Sequence, residues 1–173
     1  MKSALLATLV ALSMAFVAAA PALAAEAQAR ATLRARSGAK VGVATLRQSR
    51  AGVLIHLDLT DLGPGTHAIH VHAVGRCEGD FESAGPHFAP KQNAHGFLAE
   101  RGPHAGDLPN LFVPAGGALV VDLTAPALSL ADGSLSDADG AALVIHEKAD
   151  DYRTDPSGAS GARIACGVIE IVR

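Results

Sequence analysis

Val53-Leu54-Ile55-His56-Leu57-Asp58-Leu59-Thr60 is the stretch that decides the fold class. Val53, Ile55, Leu57 and Leu59 fall on one side of an extended chain and Leu54, His56, Asp58 and Thr60 on the other, the period-two pattern of a strand buried on one face. Arg50-Ala51-Gly52 reads as the turn that enters it. Upstream, Val41-Gly42-Val43-Ala44-Thr45-Leu46 and the alternating Thr32-Leu33-Arg34-Ala35-Arg36 read as two more strands around a Ser37-Gly38 turn. Downstream, residues 68–73, 118–124, 141–146 and 162–172 are further strand candidates, each bounded by Gly, Pro, Asp or Ser clusters. No segment beyond the N-terminal apolar run carries a 3.6-residue period. The expected class is all-β, about eight antiparallel strands in a sandwich or barrel. Residues 74–111 and 147–161 are left as two long loops, and loops of that length in a small domain usually carry function.

With 173 residues the chain suits one domain of ordinary size. Hydrophobic residues are 49% and aromatics 3%, with no Trp, so the core must be aliphatic. Against 14 Lys+Arg stand 17 Asp+Glu, a formal net charge of -3, and no basic run occurs. That balance argues against a nucleic-acid partner held by phosphate contacts. Lys2 is the single charge before Glu26, and a mostly apolar run over residues 4–20 leads to Pro21 and Ala22-Leu23-Ala24. A positive start, a short apolar centre and an Ala-x-Ala exit make a secretory signal, cleaved after Ala24. The run is short for a spanning helix, which needs about 20 apolar residues. The expected organisation is a signal peptide over residues 1–24 and a single domain over 25–173, with no membrane attachment after cleavage. In an oxidising compartment Cys77 and Cys166, an even count with no CxxC motif, form one disulfide by default.

Eight histidines carry the functional signal. His70 and His72 alternate within a strand candidate, so both imidazoles leave one face and can converge on an ion. His87, His95 and His104 follow in a Gly- and Pro-rich loop, with 7 and 8 residues between them, and Asp107 closes the series. Three imidazoles and a carboxylate are the ligand set of a closed tetrahedral zinc site. Four neutral imidazoles suit a tetragonal copper(II) centre instead.

Gly65-Thr66-His67-Ala68-Ile69-His70-Val71-His72, Gly75-Arg76-Cys77 and Ser83-Ala84-Gly85-Pro86-His87-Phe88-Ala89-Pro90 resemble the signature of the copper,zinc superoxide dismutases. So do Gly102-Pro103-His104-Ala105-Gly106-Asp107-Leu108-Pro109-Asn110, His146-Glu147-Lys148-Ala149-Asp150-Asp151 and Gly161-Ala162-Arg163-Ile164-Ala165-Cys166-Gly167-Val168-Ile169. The signal pattern and Asp151-Tyr152-Arg153-Thr154-Asp155-Pro156 resemble the exported bacterial branch, which implies a periplasmic protein. The resemblance implies an immunoglobulin-like Greek-key fold with a long metal-binding loop and a second active-site loop. It further implies copper on His70, His72, His87 and His146, and zinc on His87, His95, His104 and Asp107. His87 would serve both ions as an imidazolate, a state that two cations make reachable. Asp150 would orient His70 and His95 from the outer sphere. Cys77 and Cys166 would form the family disulfide, and Arg163 would guide the anion to copper.

The implied reaction is superoxide dismutation, in which copper accepts an electron from one superoxide and returns it to a second, with His87 relaying a proton. The rival on the same scaffold is a non-catalytic copper- or zinc-binding or copper-delivery module. Arg163 and all four copper positions are present, which favours the enzyme. A homodimer and a monomer both fit the resemblance.

Other residues have plainer readings. His67 reads as a structural histidine bonded to backbone, and His56 as a solvated side chain on the polar strand face beside Asp58. Glu147, Lys148 and Arg153 read as exposed loop charges. Gly79-Asp80-Phe81-Glu82 reads as a subunit contact or plain surface. His146-Glu147-Lys148-Ala149-Asp150 is not the His-Glu-x-x-His zinc motif, because it ends in Asp and leaves a strand rather than lying on a helix.

Overall fold

A computed structural model describes residues 28–131 and 134–172; the expected signal segment, 1–24, lies outside the described residues. Ten strands follow in order: β1 Gln28–Ala35, β2 Lys40–Ser49, β3 Gly52–Leu59, β4 Gly65–His67, β5 Ile69–His72, β6 Leu111–Val113, β7 Leu119–Ala125, β8 Ala142–His146, β9 Arg163–Val168 and β10 Glu170–Val172. A single 3-10 turn, Glu82–Ala84, is the one helical element among the described residues. The all-β expectation holds, and β3 alternates as its sequence requires, with Val53, Ile55, Leu57 and Leu59 buried.

One antiparallel sheet runs in the order β5-β8-β9-β1-β2-β3-β7, with β10 paired to the start of β1. Its two edges, β5 and β7, are drawn together by the β4–β6 ribbon, since β4 runs on into β5 and β6 leads into β7. The sheet therefore curls on itself around one aliphatic core that includes Leu33, Leu46, Ile55, Leu57, Ile69, Leu111, Leu143 and Ile145. Curling of this kind brings the two sheet edges toward each other without pairing them directly.

The differences from the expected strands have local causes. The candidate over 162–172 is two strands, because Ile169 leaves the ladder and donates its N–H to Ala141 O while β10 moves to β1. The 68–73 candidate starts earlier, as β4, and breaks at Ala68, whose N–H is taken by Lys148 O. The first long loop ends in β6, and a third long connection joins β7 to β8.

Cys77 and Cys166 are joined in a disulfide across a separation of 89 residues, tying the first long loop to β9. Beside it Phe81, Ala84, Ala142, Val144 and Cys166 form a second, smaller apolar cluster. In the chain-entropy view a closed loop of this size restricts the unfolded chain by about 4 to 5 kcal/mol. Replacing both cysteines by alanine is expected to lower unfolding free energy by roughly that amount in guanidinium titrations. A loss below about 1 kcal/mol would show that the tie does not constrain the unfolded chain.

Candidate metal centre

Six imidazoles meet between β5, β8 and the first long loop. Ile69 and Val71 of β5 enter the main core, so His70 and His72 leave its other face, where both are fully buried. The free edge of β5 is covered by the loop itself: Val71 N–H donates to Gly106 O, Phe88 N–H to Val71 O, and Ala73 N–H to Pro86 O. This zipper places His72 opposite His87 and His70 opposite Asp107. Gly106 is required there, because a Cβ would overlap the Val71 carbonyl. His146 ends β8 at a register irregularity, where it pairs with Arg163 and skips Ile164. Such a bulge re-aims side chains, and here it brings the guanidinium to the imidazole cluster.

In His70, His72, His87 and His146 one nitrogen is committed, which selects the tautomer. His72 Nδ1 donates to Gly85 O at 2.9 Å, and His70 Nε2 donates to Asp150 Oδ2 at 2.9 Å. His146 Nδ1 lies 3.1 Å from Ser160 Oγ and 3.4 Å from Gly161 O. His87 Nδ1 is 2.9 Å from Asp107 Oδ1. The other nitrogens, His70 Nδ1, His72 Nε2, His87 Nε2 and His146 Nε2, are buried with no hydrogen-bond partner. These four residues form a group whose ligand atoms all lie within 4.8 Å of one another.

On the far side of His87 a second set assembles. Asp107 Oδ1 is 2.9 Å from His87 Nδ1, 3.1 Å from His95 Nδ1 and 3.3 Å from His104 Nδ1, and His104 Nδ1 is 3.4 Å from His87 Nδ1. A tetrahedral zinc with bonds of about 2.0–2.1 Å has its ligand atoms about 3.3–3.4 Å apart; the two His104 contacts match such edges, and the His87 and His95 contacts to Asp107 are shorter, at hydrogen-bond length. His70 also comes within 4.8 Å of His87, His95 and Asp107, but its Nε2 is taken by Asp150 and its free Nδ1 belongs to the first set.

Asp150 stands behind both sets, Oδ2 accepting from His70 Nε2 and Oδ1 from His95 Nε2, each at 2.9 Å. Its backbone is clamped by Asn110, whose Nδ2 donates to Asp150 O and whose Oδ1 accepts from Asp150 N–H. Gly158, at φ +66°, lets the second loop cross here, since a Cβ would overlap the Asp150 carboxylate. Neither Asn110 nor Gly158 carried a signal that separated it from other loop residues. Arg163 lines the same cleft as His72, His87 and His146, with its Nη1 donating to Phe81 O at 2.7 Å.

Other residues fall as follows. His67 lies between two carbonyls, Nδ1 2.9 Å from His146 O and Nε2 2.9 Å from Gly63 O. His56 sits apart on the outer sheet face and pairs with Asp122, not Asp58, at 2.7 Å. Within residues 79–82, Phe81 is buried and its carbonyl accepts from Arg163, while the exposed Glu82 pairs with Arg163.

The electrostatics follow from burial. Desolvation pushes the imidazolium of His72 down to about 2 and that of His146 to about 3. Desolvation likewise takes His87 to about 4, against the pull of Asp107. His70 is lowered by the same cause, despite Asp150. Burial also opposes charge on His95, yet the hydrogen bonds to Asp107 and Asp150 outweigh it and raise this ring to about 9. Both carboxylates stay well below their usual range, their imidazole hydrogen bonds overcoming desolvation.

For the metal-free protein the signs are definite. His72, His87 and His146 bind fewer protons folded than unfolded, so their contribution is complete above about pH 6.5 and is lost as pH falls below it, on the order of 2 kcal/mol per ring by pH 5. His95 acts oppositely, with stability lost as pH rises from about 6.5 toward 9. Denaturant unfolding of the metal-free protein should therefore peak near neutrality and fall more steeply on the acid side. A flat profile would contradict the burial and tautomers described.

The model of the copper/zinc superoxide dismutase (SODC) family matches residues 40–169. A Cu-Zn superoxide dismutase 1 of Aquifex aeolicus (strain VF5) is 44% identical over 140 residues, covering 78% of this chain and 83% of that protein. The crystal structure of a SOD-like protein from Bacillus subtilis has a TM-score of 0.77 at 45% identity, covering 80% of this chain and 96% of that one. A Cu/Zn superoxide dismutase from Brucella abortus has a TM-score of 0.69 at 30% identity, covering 83% of this chain and 99% of that one. The match spans β2 to β9, the disulfide and every residue of the two side-chain sets, and the chain belongs to the copper/zinc superoxide dismutase family.

Proposed function

We propose that this protein dismutes superoxide, with copper on His70, His72, His87 and His146 and zinc on His87, His95, His104 and Asp107. The observation that carries the reading is the set of four buried imidazole nitrogens left without partners in the cleft that the Arg163 guanidinium also lines. Neutral imidazoles with the second nitrogen tied down are donor atoms for a copper-type ion, and a carboxylate with three imidazoles is a zinc set. Copper, when bound, supplies a one-electron acceptor and donor, and zinc supplies a fixed charge without redox chemistry.

The reaction consumes two superoxide anions and two protons and yields one dioxygen and one hydrogen peroxide, so no outside reductant is required. His87 contributes Nε2 to the first set and Nδ1 to the second. Its Nε2 is thus an atom that can take a proton and pass it to peroxide within the cleft, while Nδ1 and Asp107 hold the ring in place. Asp150, by accepting from His70 and His95, keeps both rings turned to their sets. Arg163 offers a fixed cation for an incoming anion, its other contacts being the Phe81 carbonyl and the Glu82 carboxylate.

A metal store or delivery module would need the ligands but no guanidinium at the mouth of the cleft, which is why the enzyme reading stands ahead of it. The reading includes export: the signal pattern over residues 1–24 and the disulfide support a periplasmic enzyme freed of its leader. All residues invoked come from one chain, so the chemistry requires no second subunit even where a homodimer forms.

The test is to strip the protein of metal, reload it with copper and zinc, and follow superoxide consumption. Binding of both metals with turnover is expected, and binding of both with none would favour the store. Arg163→Ala should lower kcat/KM for superoxide by roughly tenfold at low salt and flatten its salt dependence, with metal content unchanged. Loss of copper from that variant would assign Arg163 a structural role instead.

A further inference from the structure

Arg163 is held at both ends of its guanidinium by one dipeptide. Phe81 has a left-handed backbone, φ 72° and ψ 11°, and its side chain is buried in the cluster beside the disulfide. Its carbonyl therefore meets Arg163 Nη1 from a fixed position, at 2.7 Å. Glu82 opens the following 3-10 turn and sets its Oε2 3.3 Å from Nη2. The two contacts differ in kind. The carbonyl is neutral and rigidly placed, whereas the Glu82 side chain is 71% exposed while that of Arg163 is 14% exposed. Glu82 lines the same cleft as His72, His87, His146 and Arg163.

We propose that Glu82 sets the anion specificity of this cleft: its carboxylate competes with incoming anions for Arg163 Nη2 and penalises doubly charged anions more than singly charged ones. The proposal rests on the superoxide reading for its substrate, but the competition applies to any small anion. The Glu82 end of this pair is largely solvated and its single contact is long, which weakens it, so an anion displaces Glu82 rather than being shut out. The carboxylate nonetheless stays at the rim, where its repulsion scales with the charge of the ligand. A well-solvated unit charge about 6 Å from the ligand, in a water-like dielectric, changes the affinity of a monoanion by roughly threefold at low salt, and a dianion feels that factor about squared. Superoxide, a monoanion, is thereby favoured over phosphate- or sulfate-like dianions that would block the guanidinium. Without Glu82 the cleft would bind every anion better and multivalent ones best.

The direct test compares wild type, Glu82→Gln and Glu82→Asp, each loaded with zinc and copper(I), a diamagnetic state. The Arg163 guanidinium N–H resonances are followed by NMR during titration with nitrate and, separately, with sulfate. Glutamine keeps an oxygen that can accept from Nη2 and removes only the charge. Glu82→Gln should tighten nitrate binding roughly threefold and sulfate roughly tenfold, and raise kcat/KM for superoxide roughly threefold at low salt, converging on wild type at high salt. Glu82→Asp, which retains the charge, should keep the wild-type ratio of sulfate to nitrate affinity. Equal gains for nitrate and sulfate, unchanged affinities, or a fall in kcat/KM for Glu82→Gln would overturn the proposal, the last by showing that Glu82 holds Arg163 in its working position. Wild-type protein that binds both metals and consumes no superoxide would sink the functional reading, while the nitrate and sulfate titrations would still judge Glu82.

Discussion

A buried polar atom without a partner costs on the order of 1–3 kcal/mol, and this protein places four of them, all imidazole nitrogens, around one point. Each of the four rings already satisfies its other nitrogen, with a carboxylate, a carbonyl or a hydroxyl. The free lone pairs are therefore oriented rather than left over, and only a species that accepts four lone pairs together resolves them. Burial keeps the rings neutral at physiological pH, so protons compete weakly for the same lone pairs. Much of the rest of the fold can be understood as holding this arrangement against its own cost.

Three devices do the holding. The loop carrying His87, His95, His104 and Asp107 is zipped to the edge of β5, so two ligand-bearing segments share one hydrogen-bonded frame. Asp150, itself clamped by Asn110, ties a ring of one set to a ring of the other through its two oxygens. The disulfide pins the start of the loop to β9, the strand that carries Arg163. Ion binding, substrate approach and the tie across the sheet thus meet within a few residues of the bulge at His146, where a one-residue irregularity turns Arg163 toward the cleft.

The sequence made parts of this visible and hid others for physical reasons. Alternation in residues 53–60 and the His-x-His of β5 were legible because period two survives whatever the strand pairs with. The three-residue strands β4 and β6 were not, since pieces so short have no period and exist through the ribbon they form together. The family resemblance marked the histidines, but which nitrogen of each ring is free depends on partners such as Gly85 O and Ser160 Oγ, far off in sequence or hidden in loop backbone. The contact of Phe81-Glu82 with Arg163 was not legible, because nothing local indicates that a left-handed residue there turns a carbonyl onto an arginine 82 residues away.

The central claim is that one ring, His87, lies between two different ions. Anomalous diffraction from crystals of the copper- and zinc-loaded protein, recorded at both absorption edges, tests it directly. The account requires a copper peak beside Nε2 of His87 and a distinct zinc peak beside Nδ1 of the same ring. A single shared peak, or a zinc peak away from His87 and Asp107, would contradict it.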